Sequence, residues 1–283
     1  MHRSSNPVPS ARPLLALLLI AGLAGCTGVA HLQSEAEETP AHPTLEELEK
    51  GGLIPAASAS PDAPTGSDTP PAPTSPAEWI GRTAPDFRLC DVEGTWHELA
   101  AMTAAKEGER SIVVLEWTSL VCSFVKRHYA RAYPQALVKK FAQEGVTWVA
   151  IDSSLWPIAH PIKVERFVEK RHVAHPILLD PTGVVGEAFG VATTPTVVIL
   201  VDGVVRFHGA FDDDVWGRKP EAREHVKEAL EAILAGEEIP VATPAAYGSP
   251  IQYFSVEQAR RAAREEARRA QEEAREKPKK ADR

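Results

Sequence analysis

The stretch Ser-Ile-Val-Val-Leu-Glu-Trp, Ser111 to Trp117, constrains the fold more than any other in the chain. Ile112 to Leu115 leave no polar face, so a strand built from them must be covered on both sides, as in a parallel sheet. Val146–Ser154 (VTWVAIDSS) is a second buried strand of the same kind. Between them, Val125–Gly145 has helical spacing and stops at Gly145, with Pro134 expected to kink or split it. A strand, a helix and another buried strand make the start of an α/β domain.

The surrounding segments extend that frame. Ala84–Leu99 reads as a hairpin turning at Asp91–Gly94. After the second buried strand come a helix at Ile162–His172, a short strand at His175–Asp180 and a short helix around Gly183–Val191. Thr194–Val201 and Val204–Ala210 are strands joined by Asp202-Gly203, a strong hairpin signal. Pro220–Gly236 is a patterned closing helix. The order β-β-β-α-β-α-β-α-β-β-α predicts a central mixed sheet flanked by helices, with an N-terminal β-hairpin extension.

The ends of the chain differ in kind from this domain. Arg3 and Arg12 precede the apolar stretch 14–25, which is too short to span a bilayer as a stable helix and reads as a secretory signal. It ends in Leu23-Ala-Gly-Cys26, which resembles a bacterial lipobox. That resemblance implies cleavage after residue 25 and lipidation of Cys26, and Thr27 favours the outer membrane over the inner one. The expected location is the periplasmic face of the cell envelope. Residues 26–77 are dominated by Pro, Ala, Ser, Thr and acids, which build no core and suit a tether. About 45 residues of random coil reach roughly 35–40 Å. The domain is expected at 78–238, and an extension with a charged, alanine-striped helix at 239–283. A net charge of −8 gives no reason to expect nucleic acid as a partner.

Cys122 stands where the first buried strand ends and the helix begins, in Glu116-Trp-Thr-Ser-Leu-Val-Cys-Ser-Phe-Val-Lys-Arg-His-Tyr129. A thiol in the first turn of a helix meets unsatisfied N–H groups and the positive end of the helix dipole, which favour the reactive thiolate. Lys126 and Arg127 would add positive charge one turn on. Val125 occupies the place where a C-x-x-C motif has its second cysteine.

Three features together resemble the thioredoxin-like redoxins, in particular the AhpC/TSA and TlpA-like branch: Ala84-Pro-Asp-Phe87, the strand–Cys122–helix junction, and Thr193-Thr-Pro-Thr-Val-Val-Ile-Leu200. The resemblance covers about Trp79 to Gly236. Within that branch the Cys122 stretch is similar to bacterial proteins with a W-T-x-x-x-C-P-F-V-K-x-H-Y signature, and Ala246–Phe254 to their later segment. It implies a thioredoxin-like fold and a nucleophile at Cys122. It also implies a cis Pro195 against that nucleophile, with Thr194 presenting its backbone to an extended substrate. Glu116 is a candidate proton-transfer acid beneath the site or a solvent-facing strand end. Trp117 and Tyr129 either wall a groove or pack in the core.

Departures from the pattern narrow the chemistry. Ser123 replaces a proline, and Ser249 stands where some relatives carry a cysteine. A peroxidase-type P-x-x-x-[TS]-x-x-C signature is half present, with Ser119 three residues before Cys122 but Leu115 at the proline position. Cys90 is a buried strand cysteine or, if near enough, a resolving partner. His160, His172 and His175 are loosely grouped, but copper carriers of this fold need a C-x-x-x-C pair that Cys122 lacks, so no metal is expected. No cofactor is implied. Asp212, Asp213 and Asp214 read as a solvated turn. The expected activity is thiol oxidoreduction with an external thiol reductant or a thiol-bearing protein as partner, either on peroxides or by mixed-disulfide exchange. The competing class is a non-catalytic peptide-binding module, and metal delivery is a third.

Overall fold

The computed structural model describes residues 73–253, except 106, 107 and 155, together with 261, 264, 265, 268 and 269. All belong to the compact unit Thr39–Arg283. The signal segment, Cys26 and most of the expected tether and charged tail lie outside the described residues. Within the tail, Arg269 and Glu265 form an ion pair one helical turn apart at 2.6 Å.

The domain opens with α1 (Pro76–Trp79), then the hairpin β1 (Arg88–Asp91) and β2 (Trp96–Glu98), and α2 (Leu99–Thr103). The Asp91 carboxylate closes the hairpin turn by accepting the N–H groups of Glu93 and Thr95. Next come β3 (Ile112–Thr118), α3 (Ser123–Ala130), α4 (Tyr133–Ala142) and β4 (Val146–Asp152). Pro134 splits the expected helix: α4 restarts with Pro134 in its first turn, where a missing N–H costs nothing, after Ala132 turns the chain at φ 55°. Beyond are α5 (Trp156–Ala159), α6 (Pro161–Arg171), β5 (Ile177–Leu179) and α7 (Val184–Ala188). The domain then runs through β6 (Thr193–Thr194), β7 (Thr196–Val201), β8 (Val204–Gly209), α8 (His225–Ala235) and β9 (Ser249–Pro250).

Seven strands form one sheet in the order β2-β1-β5-β4-β3-β7-β8. β3 lies parallel to β4, and β4 to β5, whereas β7 runs antiparallel to both β3 and β8. Asp202 and Gly203, at φ 52° and 74°, make the β7–β8 turn, where two positive φ values match the twist of the strands. β3, between β4 and β7, is buried along its whole length. One face packs Val113, Leu115 and Trp117 with Phe87, Val185 and Phe189. The other packs Ile112 and Val114 against Leu137 and Phe141 of α4 and Val226, Leu230 and Ile233 of α8.

Two departures concern the region after β8. α8 begins at His225, five residues later than the pattern suggests, because Asp213 and Asp214 bind the intervening loop. The Asp213 carboxylate accepts the Arg223 N–H, and that of Asp214 accepts those of Arg218 and Lys219. Asp212 and Asp214 are buried, so this acidic run organises a loop and is not the solvated turn expected. Residues 240–253, past the expected boundary at 238, pack on the domain. His208 and Ala210 of the β8 edge donate to the carbonyls of Ala242 and Pro244, and β9 pairs with β6.

Candidate active site

Cys122 is the N-cap of α3, with extended backbone (φ −68°, ψ 125°). Its N–H donates to Ser119 O and its carbonyl accepts from Lys126, closing the turn that lifts the chain from β3 into the helix. The thiol is only 2 % exposed and donates to the carbonyl of Thr194 at 3.1 Å. The Thr194–Pro195 peptide is cis. Thus residues 72 positions apart meet because β3 and β7 are neighbours in the sheet.

The third element at the sulfur comes from the segment that follows α8. β9 lies antiparallel to β6, with Ser249 opposite Thr194. Burial raises the Cys122 pKa, but the hydroxyls of Ser249 and Thr194 and the N–H groups of Val125 and Ser249 outweigh it, so the thiol is more acidic than usual. The groups that do this are uncharged. Arg127 is instead spent on the loop after β8, donating to Val215 O at 2.7 Å and Asp214 O at 3.0 Å. The expected help from Lys126 and Arg127 is therefore replaced by local dipoles.

Beside the sulfur lies a small cavity of about 90 Å³, bounded by Thr118, Ser119, Cys122, Asp152, Thr194 and Ser249 among others. Asp152 ends β4 and is fully buried. Burial pushes its pKa up to about 7, against the Ser154 hydroxyl and the Leu120 N–H, which favour the anion. The Leu120 N–H belongs to the turn that carries Cys122, so Asp152 braces that turn from below. Asp180 accepts from Ser153 at 2.7 Å and Gly186 N at 2.9 Å, and burial raises its pKa to about 6.

Glu116 points inward and is 1 % exposed, which disposes of the solvent-facing alternative. Its carboxylate accepts from Tyr129 OH and Trp148 Nε1, each at 3.0 Å. Burial lifts its pKa to about 7, those two hydrogen bonds opposing it. His175 Nε2 lies 3.8 Å away, but burial lowers the histidine to about 4, so the imidazole is neutral and the approach is no ion pair near neutral pH. Tyr129 links this network to the Cys122 neighbourhood, since its ring packs in the same cluster as Cys122 and Val125.

Trp117 does not wall the groove. It is fully buried on the opposite face of the sheet, 5.1 Å from the Phe189 ring, because strand residues alternate faces and its neighbour Glu116 takes the site side. Ser119 reaches the site through its carbonyl and the cavity wall. His128 is buried against Phe211, Tyr133 and Tyr247 and packs there, away from the sulfur's own contacts. Cys90 is buried with Leu179, in a cluster separate from that of Cys122, and neither cysteine is in a disulfide. Among the described residues, no group of three His, Cys, Asp or Glu side chains has metal-binding geometry. Sequence reading passed over Asp152, and it treated Ser249 only as a missing cysteine. A glycine and a serine between two tyrosines, just after the closing helix, were the available signal.

A mixed sheet with a cysteine at a strand–helix junction, facing a cis-proline across the sheet, defines a thioredoxin-like redoxin. The AhpC/TSA family model matches residues 80–208, and over that stretch the chain is similar to that family of redoxins. A curated relative, the thiol-disulfide oxidoreductase ResA of Geobacillus thermodenitrificans, is 28% identical over 155 residues, covering 54% of this chain and 78% of its own. An uncharacterized conserved protein from Geobacillus kaustophilus is similar in structure, with TM-score 0.55 and 25% identity over 62% of this chain and 92% of that one. A hypothetical protein from Sinorhizobium meliloti matches with TM-score 0.53 and 25% identity, over 62% and 94% of the two chains.

Proposed function

We propose that this protein is an envelope-anchored thiol oxidoreductase in which Cys122 is the single nucleophile. The observation that carries the reading is the Cys122 sulfur held at the Thr194–Pro195 peptide among donors that lower its pKa. Its thiolate attacks one sulfur of a disulfide, forming a mixed disulfide and expelling the other sulfur as a thiolate that takes up a proton. An external thiolate then attacks the partner's sulfur of the mixed disulfide, forming a new S–S bond to it and releasing Cys122 as the thiolate. The relative from Geobacillus thermodenitrificans is named a thiol-disulfide oxidoreductase, which favours this exchange over peroxide reduction. Peroxide would instead oxidise Cys122 to a sulfenic acid, with the peroxide reduced to an alcohol or water.

Alkylation by iodoacetamide, localised to Cys122 by mass spectrometry, tests the nucleophile. The rate should exceed that of an unperturbed cysteine at neutral pH, and Cys122→Ser should abolish disulfide exchange. Alkylation at or below the ordinary rate would sink the reading. Rapid thiol-dependent peroxide consumption without disulfide exchange would replace the exchange step with peroxide reduction. The anchor is proposed at Cys26 in the lipobox-like sequence, holding the domain at the periplasmic face of the outer membrane. A Cys26→Ser protein that still fractionates with membranes contradicts it.

A further inference from the structure

The groove that the cis-proline would offer to an extended substrate is already filled by the chain itself. Ser249-Pro250 pairs antiparallel with Thr193-Thr194, the position an added strand would take. Ser249 lies against the Cys122 sulfur, and the thiol beneath is almost wholly covered. Gly248, at φ 141°, lets the strap lie this close: a Cβ there would sit 1.9 Å from the Thr194 carbonyl oxygen.

The strap is held at both ends and only lightly between them. At one end Tyr247 donates to Asp212, lies 3.2 Å from His128 Nε2, and packs its ring 5.8 Å from that of Phe124. At the other, Tyr253 donates to the Val191 carbonyl and lies on Gly183 and Gly186, where a Cβ would fall 2.2 Å from its ring and 2.6 Å from its hydroxyl. Between these pins, β6 and β9 are two residues each, and Ile251 N adds a hydrogen bond to Ala192 O at 2.9 Å. Just outside the strap the surface is apolar. Val121, beside the nucleophile, is 53 % exposed, and Trp216, its ring 6.4 Å from Phe124, is 73 % exposed.

We propose that Tyr247–Tyr253 is a built-in occupant of the substrate groove, and that a protein partner enters by strand replacement. The partner presents an extended segment with a small residue followed by a disulfide-bonded cysteine, matching Gly248 and Ser249 in register. This rests on Cys122 being the nucleophile of disulfide exchange. The segment adds to Thr193–Thr194 in place of β9, with its flanks on Val121, Phe124 and Trp216. The partner cysteine's sulfur then stands where the Ser249 side chain stood. Cys122 thiolate bonds to it as the partner's S–S bond breaks, and the departing sulfur leaves as a thiolate that takes up a proton. With the strap in place, only small molecules reach the sulfur. The chain's own segment shows the geometry an added strand adopts, and it argues for an extended peptide in preference to a folded surface.

The test compares alkylation of Cys122 in the full chain by iodoacetamide and by a maleimide bearing a 5-kDa polymer. Wild type, Gly248→Val and Tyr253→Ala are compared, with labelling localised by mass spectrometry. The ratio of bulky to small reagent should rise about tenfold or more in both variants, since each releases a different part of the strap. In wild type, the Ser249 and Ile251 amides should exchange hydrogen about tenfold or more faster than those of Val197 and Val198, a reading that requires no variant to fold. A peptide AYGCPIQY, activated as a mixed disulfide, should exchange with Cys122 about tenfold faster than its scrambled form, and more so in Tyr253→Ala. An unchanged ratio in both variants, strap amides as protected as those of β7, or equal rates for the two peptides would each overturn the proposal. Stable dimers on releasing the strap would assign the groove to a second copy and overturn it as well. Slow labelling by iodoacetamide in wild type and both variants alike would instead sink the nucleophile on which the proposal rests.

Discussion

The two faces of the central sheet are made from the same strands and have opposite characters. One is apolar from end to end, with Val113, Leu115 and Trp117 of β3, Val149 and Ile151 of β4, and Val198 and Leu200 of β7. The other begins apolar with Ile112, Val114, Val146 and Trp148, then changes along the strands to Glu116, Thr118 and Asp152. Because side chains alternate, the two sets are interleaved residue by residue. The polar positions lie toward the carboxyl ends of β3 and β4, the end from which the chain rises into Cys122. Burying two carboxyl groups there opposes folding unless they are hydrogen-bonded or protonated. A sheet under selection for stability alone has no reason to put them there, so the polar end of this face is where packing gives way to chemistry.

The strongest way to break that contrast is at Trp117. Trp117→Ala should cost about 3–5 kcal/mol of stability, from lost burial and the cavity left against Phe189. Denaturant unfolding measures this, and the pH midpoint of Cys122 alkylation should stay where it is under native conditions. A midpoint that moves would mean the apolar face also tunes the thiol, and the division between faces would fail.

Glu116 probes the other face with a smaller effect, read through pH. Its carboxyl titrates near 7 in the fold. Unfolded, it titrates near the ordinary value of about 4.3. The folded state therefore holds the proton more tightly, and this group's contribution to stability is greatest below about 4.3, falls as pH rises toward 7, and is level above that. Glu116→Gln removes the titration while keeping the shape. From pH 4 to pH 8, its stability relative to wild type should rise by up to about 3–4 kcal/mol. His175 beside it, lowered to about 4 by burial, is neutral over most of that range. A constant gap across that range would show that the fold leaves the Glu116 pKa near its ordinary value.

How much of this was legible in the sequence depends on whether the signal was local. The continuous apolar runs around Ile112–Leu115 and Val146–Ile151 read as doubly covered strands, and Asp202-Gly203 as a strong signal for a tight hairpin turn. The placement of Cys122 at a strand–helix junction follows from the same local pattern. What the sequence withheld were meetings between distant segments. Nothing near Glu116 says whether it faces inward, because that depends on the register with Trp148 and on Tyr129 arriving from α3. Trp117 was ambiguous for the same reason. The acidic run at Asp212–Asp214 looks solvated until Tyr247, 35 residues on, donates to Asp212. Ser249 was the costliest omission, since a serine in a short loop has no local feature that marks it as the neighbour of a nucleophile.

Ser249 also supplies the smallest and most specific test of where the polar face ends. Its hydroxyl is first among the groups that favour the Cys122 thiolate, with burial working against them. Ser249→Ala removes that hydroxyl and leaves the Ser249 N–H, the Val125 N–H and the burial unchanged. The thiol should become less acidic, and alkylation at neutral pH should slow by roughly tenfold, the worth of one hydrogen bond to a charged group. Stability should hardly change, because at neutral pH one small polar group at a strap is replaced by a smaller apolar one. If the rate instead rises, the hydroxyl acts chiefly as part of the cover over the sulfur, and access outweighs acidity. If both rate and stability are unaltered, the thiolate is supported by the backbone donors alone, and the helix-start geometry of Cys122 suffices without the strap.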